Sequence, residues 1–130
     1  MVEALRSALL ADARIAYALL FGSAARGTLH SHSDVDVAVG TGAGQELTVR
    51  DLGDLTALLE SAVRRPVHLV FLGEAAPGLA YRVFRDGTTL MVRDEQALKA
   101  RRAQAILEYL DYRPVEEAFT QGVLRARDDR

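Results

Sequence analysis

Apolar positions recur along this chain with two periods, one helical and one extended, and the switches between them outline a series of short elements. In residues 2–12 (VEALRSALLAD), Leu5, Leu9 and Leu10 share one helical side, which predicts a short first helix. Residues 15–21 (IAYALLF) are apolar without a break and read as a buried strand. The following GSAARGTLHSHSD, rich in Gly, Ser and His, reads as a turn, a short helix and a loop. In residues 34–39 (DVDVAV) the alternation is strict, with Val35, Val37 and Val39 on one side and Asp34, Asp36 and Ala38 on the other. Gly40 to Gly44 break the pattern. Residues 48–64 predict an amphipathic helix whose stripe is Leu52, Leu55, Leu58, Leu59 and Val63, with Thr48 and Asp51 spaced as a capping box. After Pro66, residues 67–72 (VHLVFL) read as a third strand and 73–78 as a loop. Residues 79–86 suit one or two helical turns closed by Gly87, and 88–92 (TTLMV) a fourth strand. Residues 94–112 predict a long helix with Ala97, Ala100, Ile106, Leu107 and Leu110 inward. Pro114 punctuates it, and a last helical segment runs into the charged RARDDR. This order predicts an α/β (α+β) domain with helices against one sheet.

Composition narrows the class. A chain of 130 residues suits a single domain over 1–130. There is no Cys, which excludes disulfide scaffolds, thiolate metal sites and thiol catalysis. No apolar run approaches the ~20 residues of a membrane span, and MVEALRSALL lacks a signal-peptide layout, so a cytoplasmic location is expected. The formal charge of −2 argues against general nucleic-acid binding.

The chemistry concentrates in Gly22-Ser23-Ala-Ala-Arg26-Gly27 followed by Ser33-Asp34-Val-Asp36. Two carboxylates one residue apart on a strand share a face, about 7 Å apart along the chain, as a Mg²⁺ site requires. Gly22-Ser23 after a buried strand suits a tight turn whose backbone N–H groups and hydroxyl cradle phosphate oxygens. The Arg26 fork neutralises phosphate charge. Phosphate and metal sites side by side are what phosphoryl or nucleotidyl transfer needs.

These residues, G22-S23-x-A25-R26-G27 and S33-D34-x-D36, resemble the signature of the DNA polymerase β-like nucleotidyltransferase superfamily. The small size and the segment APGLAYRVFRDGTTLMVRD resemble its minimal nucleotidyltransferases, and more narrowly the MntA-type antitoxins that pair with HEPN toxins. The resemblance spans roughly residues 10–112, leaving 113–130 as a helical tail. It implies a small mixed sheet. It also implies that Gly22 and Ser23 bind the triphosphate, that Asp34 and Asp36 hold Mg²⁺, and that Arg26 and Ser33 position phosphate or support the loop. The implied reaction is transfer of AMP from ATP to a tyrosine of a partner HEPN toxin. So short a chain implies that the acceptor pocket comes from another chain, hence a homo- or hetero-oligomer. A small-molecule nucleotidyltransferase would add a helical acceptor domain, whereas only residues 93–130 follow the last strand here.

One position departs from the family. A third carboxylate is expected on the next strand, in a segment of the form V-D-L-V. This chain has Val67-His68-Leu69-Val70. Histidine brings a possible general base but no negative charge, and it favours softer metals than Mg²⁺. Three readings follow: a weakened or Mn²⁺-dependent enzyme, a degenerate antitoxin that acts by binding alone, or a shifted strand register with Glu74 as the acid. His30 and His32 flank Ser31 within the motif loop, where a histidine could touch phosphate or metal or be incidental. Tyr109 and Tyr112 read as interior or interface aromatics, and Lys99, Arg101 and Arg102 as a solvated helix face.

Overall fold

The computed structural model describes residues 1–29 and 33–128, from 113 onward as backbone only. The elements are α1 (Val2–Leu10), β1 (Ile15–Phe21), α2 (Gly22–Arg26), β2 (Val35–Thr41), α3 (Val49–Val63), β3 (Val67–Phe71), a 3-10 turn (Leu72–Glu74), α4 (Pro77–Asp86), β4 (Thr88–Val92) and α5 (Glu95–Asp128). Four strands form one mixed sheet in the order β3-β2-β1-β4. β1 pairs antiparallel with both β2 and β4, and β2 pairs parallel with β3.

Both faces of the sheet are covered, which is why the central β1 is apolar throughout. On one face Ile15, Ala18, Leu20, Val35, Val37 and Val39 pack with Leu5 and Leu9 of α1 and Leu55 and Leu59 of α3. On the other, Tyr17, Leu19, Ala38 and Val70 pack with Ala80 and Val83 of α4 and with Leu98 and Ala105 of α5. A register irregularity between Ile15 and Tyr17 sends Ala16 and Tyr17 to the same side.

The capping box is present as expected. Asp51 N–H donates to the Thr48 hydroxyl at 3.1 Å, and Thr48 N–H donates to the Asp51 carboxylate at 2.9 Å. The Thr48 backbone N–H on the carboxylate lowers the Asp51 pKa most, followed by a hydrogen bond from Arg14. Thr48→Ala is expected to cost about 1 kcal/mol of stability, read from thermal or urea unfolding.

Several local expectations are corrected. β2 runs on through Gly40 to Thr41, because Gly40 lies opposite Tyr17 in the ladder. α4 starts at Pro77, two residues early, since proline suits the first helical turn. Leu58 is exposed rather than part of the α3 core stripe.

α5 differs most. It continues past Pro114 as one helix. Its inward stripe is Leu98, Arg101 and Ala105, and the expected core residues Ile106, Leu107 and Leu110 are exposed. Ala105 lets the helix approach the sheet, and Leu107, two residues on, falls about 200° around the axis. Arg101, expected in solvent, is only 11% exposed. Its Nε donates to the Leu72 carbonyl at 3.0 Å, so a charged side chain occupies an interior position. Arg102 lies over the Phe84 ring, and Tyr109 stacks on Tyr81 at 4.0 Å. No helix among the described residues is long and apolar enough to cross a membrane.

Candidate functional site

The alternation of β2 that buries Val35, Val37 and Val39 turns Asp36 and Ala38 toward the α4/α5 face. The register then places Asp36 between Phe21, its partner on β1, and His68, its partner on β3. All three lie at the end of the sheet where β1 finishes and β2 and β3 begin. Gly22 follows at once with φ +67°. A Cβ there would overlap Oδ2 of Asp36, so this turn needs glycine both for its conformation and for its closeness to the carboxylate. α2 is closed by Gly27 in the left-handed region, and the Thr28 N–H donates to the Ser23 carbonyl at 2.9 Å. The Gly22–Asp36 approach sets the start of α2 against the start of β2.

His68 enters the site as its position in the strand requires. Its Nδ1 lies 3.1 Å from Asp36 Oδ1. In this contact the carboxylate accepts and the imidazole Nδ1–H donates, which leaves Nε2 facing away from Asp36. The ring stands edge-on to Phe21, centroids 6.4 Å apart. Phe21 is thus a member of the site that sequence reasoning missed. It ends an apolar run, and only the register shows that its ring faces the histidine. Glu74 does not share this end. It closes the 3-10 turn beyond β3 and lines a cavity with Thr41, Gly44 and Phe71 at the opposite end of the strands.

Asp34 is exposed just before β2, two residues from Asp36 and therefore on the same side by alternation. Ser23 and Ser33 are half-buried, and Arg26 is exposed in the last turn of α2. The structure therefore brings together Gly22, Asp36 and His68, with Ser23 and Arg26 on α2 and Asp34 on the loop before β2. His30 and His32 lie outside the described residues. Among the described residues, no three His, Asp or Glu side chains converge as a metal cage. Two carboxylates at a strand mouth nevertheless match the small protein donor set that Mg²⁺ uses when substrate phosphates supply further oxygens.

A mixed sheet with a glycine turn pressed on a strand carboxylate defines a nucleotidyltransferase core. The chain belongs to the polymerase beta nucleotidyltransferase family, whose model matches residues 3–96. No curated protein sequence matches it significantly. Among solved structures it is similar to a toxin–antitoxin complex with AMP-PNP, at 26% identity, covering 95% of this chain and 98% of that one with a TM-score of 0.84. A minimal nucleotidyltransferase is 30% identical over 67% of this chain and 90% of its own, with a TM-score of 0.53. The fold is also that of the MNT antitoxin bound to the tri-AMPylated HEPN toxin of Shewanella oneidensis, at 22% identity over 95% and 99% of the two chains, TM-score 0.74.

Proposed function

We propose that this chain is a nucleotidyltransferase antitoxin that transfers AMP from ATP to a tyrosine of a partner HEPN toxin and thereby silences it. The observation that carries the reading is the Gly22 turn held against the Asp36 carboxylate, in a fold similar to a toxin–antitoxin complex with AMP-PNP. The tri-AMPylated state of the toxin in the Shewanella oneidensis complex supports AMP as the group moved and a HEPN protein as the acceptor.

The residues take separate roles. Gly22, Ser23, Arg26 and Ser33 bind and orient the nucleotide. Asp34 and Asp36 would hold Mg²⁺ (or Mn²⁺), which when bound draws charge from the phosphate oxygens. The tyrosine oxygen bonds to the α-phosphorus, the bond from that phosphorus to the bridging oxygen breaks, and pyrophosphate leaves with the electron pair. The phenolic proton passes to Nε2 of His68, whose Nδ1 is anchored on Asp36.

A second reading has an observation of its own. The His68 contact occupies an oxygen of Asp36 that a metal would otherwise use, which favours an antitoxin that neutralises by contact alone. One experiment separates the two readings. The partner toxin is incubated with this chain, ATP and either Mg²⁺ or Mn²⁺, and its intact mass is measured. Gain of one or more AMP units supports transfer. An unchanged mass in a stable complex supports contact alone. Under the transfer reading, His68→Asp is expected to raise the Mg²⁺-supported rate relative to the Mn²⁺-supported one by roughly tenfold, equivalent to about 1.4 kcal/mol.

A further inference from the structure

α4 forms a wall beside the site that the motif does not include. Ala80 and Val83 pack with Ala38 and Val70, so the helix lies over the sheet face that carries Asp36 and His68. Its C-terminal end is tied to the site end of β1. Thr88 pairs with Leu20, one residue short of Phe21, and a Cβ at Gly87 would sit 3.1 Å from the Leu20 carbonyl oxygen. The end of α4 therefore abuts α2, with which it makes direct contact.

Three arginines gather there. Arg85 is already committed, donating from Nε and Nη2 to both oxygens of Asp86 at 2.9 and 2.8 Å. Arg82, one turn before Asp86 on the same helical face, is exposed, as is Arg26 at the end of α2. Neither donates a hydrogen bond to a described residue. The Asp86 carboxyl has a lowered pKa, chiefly through its hydrogen bond to Arg85, and the charges of Arg26 and Arg82 contribute as well. Asp86 balances only one of these three cations. That leaves the guanidinium forks of Arg26 and Arg82 without a hydrogen-bonded carboxylate among the described residues, at the end of α4 that meets α2, and paired forks suit adjacent phosphates.

We infer that Arg82 and Arg26 together hold the β- and γ-phosphates of the nucleotide, and so also the pyrophosphate that leaves. The inference rests on the nucleotidyl-transfer reading and extends its binding site from α2 to α4. It separates the nucleotide's two ends: the arginines contribute to ATP and pyrophosphate affinity and contribute little to AMP affinity.

The test is a binding titration of ATP, AMP and inorganic pyrophosphate to the full chain, comparing wild type with Arg82→Ala, Arg82→Lys and a control, Arg50→Ala, an exposed arginine in α3. Arg82→Ala is expected to weaken ATP and pyrophosphate roughly tenfold or more, with AMP changed less than about twofold. Arg82→Lys recovers part of the loss, and Arg50→Ala changes nothing. Arg82 is exposed, so the melting temperature should hold and a binding loss cannot be ascribed to unfolding. Equal losses for ATP and AMP, or no loss for either, overturn the inference while leaving the transfer reading intact. Failure of the wild-type chain to bind ATP, with pyrophosphate still bound through Arg82, sinks the transfer reading and spares the anion site. Failure to bind any of the three overturns both.

Discussion

Asp36→Ala is expected to lower AMP transfer at least about 10³-fold, a barrier increase of roughly 4 kcal/mol, with little change in stability. Asp36 links the Gly22 turn to His68. It lies against the Gly22 turn and meets Nδ1 of His68, and in the proposed reaction it would be one of the two carboxylates that hold the metal. Its removal takes away a metal ligand and the tether of the proposed base together, so the effect exceeds that of losing either alone. The side chain is partly solvent-exposed and packs no core, which keeps the cost to folding small. The rate is read from the partner's intact mass over time, beside a thermal melt of the variant. Unaltered transfer by a folded Asp36→Ala protein would falsify the assignment of this site.

Gly40→Ala is expected to be the most damaging single-methyl change for stability, at about 3 kcal/mol or a fall in Tm near 10 °C. Gly40 sits opposite Tyr17 in the β1–β2 ladder, and the tyrosine ring lies across the glycine where a Cβ would be. Tyr17 is 2% exposed and packed among Leu19, Ala38 and Leu98, and it lines a cavity with Thr41, Phe71 and Arg101, so the ring can yield only by giving up these core contacts. Either the ring leaves its place in the core or the two strands separate. A double-mutant cycle tests this cause. In a Tyr17→Leu background, Gly40→Ala should cost much less, because the clashing ring is gone. Additive costs would show that the penalty lies in the backbone at Gly40 instead.

Local pattern carried much of this molecule. The strict alternation of DVDVAV predicts which face of β2 carries Asp36, since a strand has only two faces and three valines claim one of them. The unbroken IAYALLF predicts a strand covered on both sides, and β1 is central to the sheet. Thr48 and Asp51 cap α3 through contacts three residues apart, which need nothing beyond the helix itself. The same spacing rules place His68 on a definite strand face.

Other features were not legible because they depend on what an element meets. Both helical stripes of α5 contain apolar residues, and periodicity alone could not choose between them. Packing selected the one with small Ala105, which admits close approach. It also drew Arg101 inward, because the Leu72 carbonyl was there to accept from it. The placement of Phe21 against His68 and of α4 beside α2 follows from strand register and the crossover through α4, which join residues far apart in the chain. Short-range spacing thus dictated which side chains point the same way along each element. Which of them converge was decided by the sheet order, since only pairing across strands brings Gly22, Asp36 and His68 to one end.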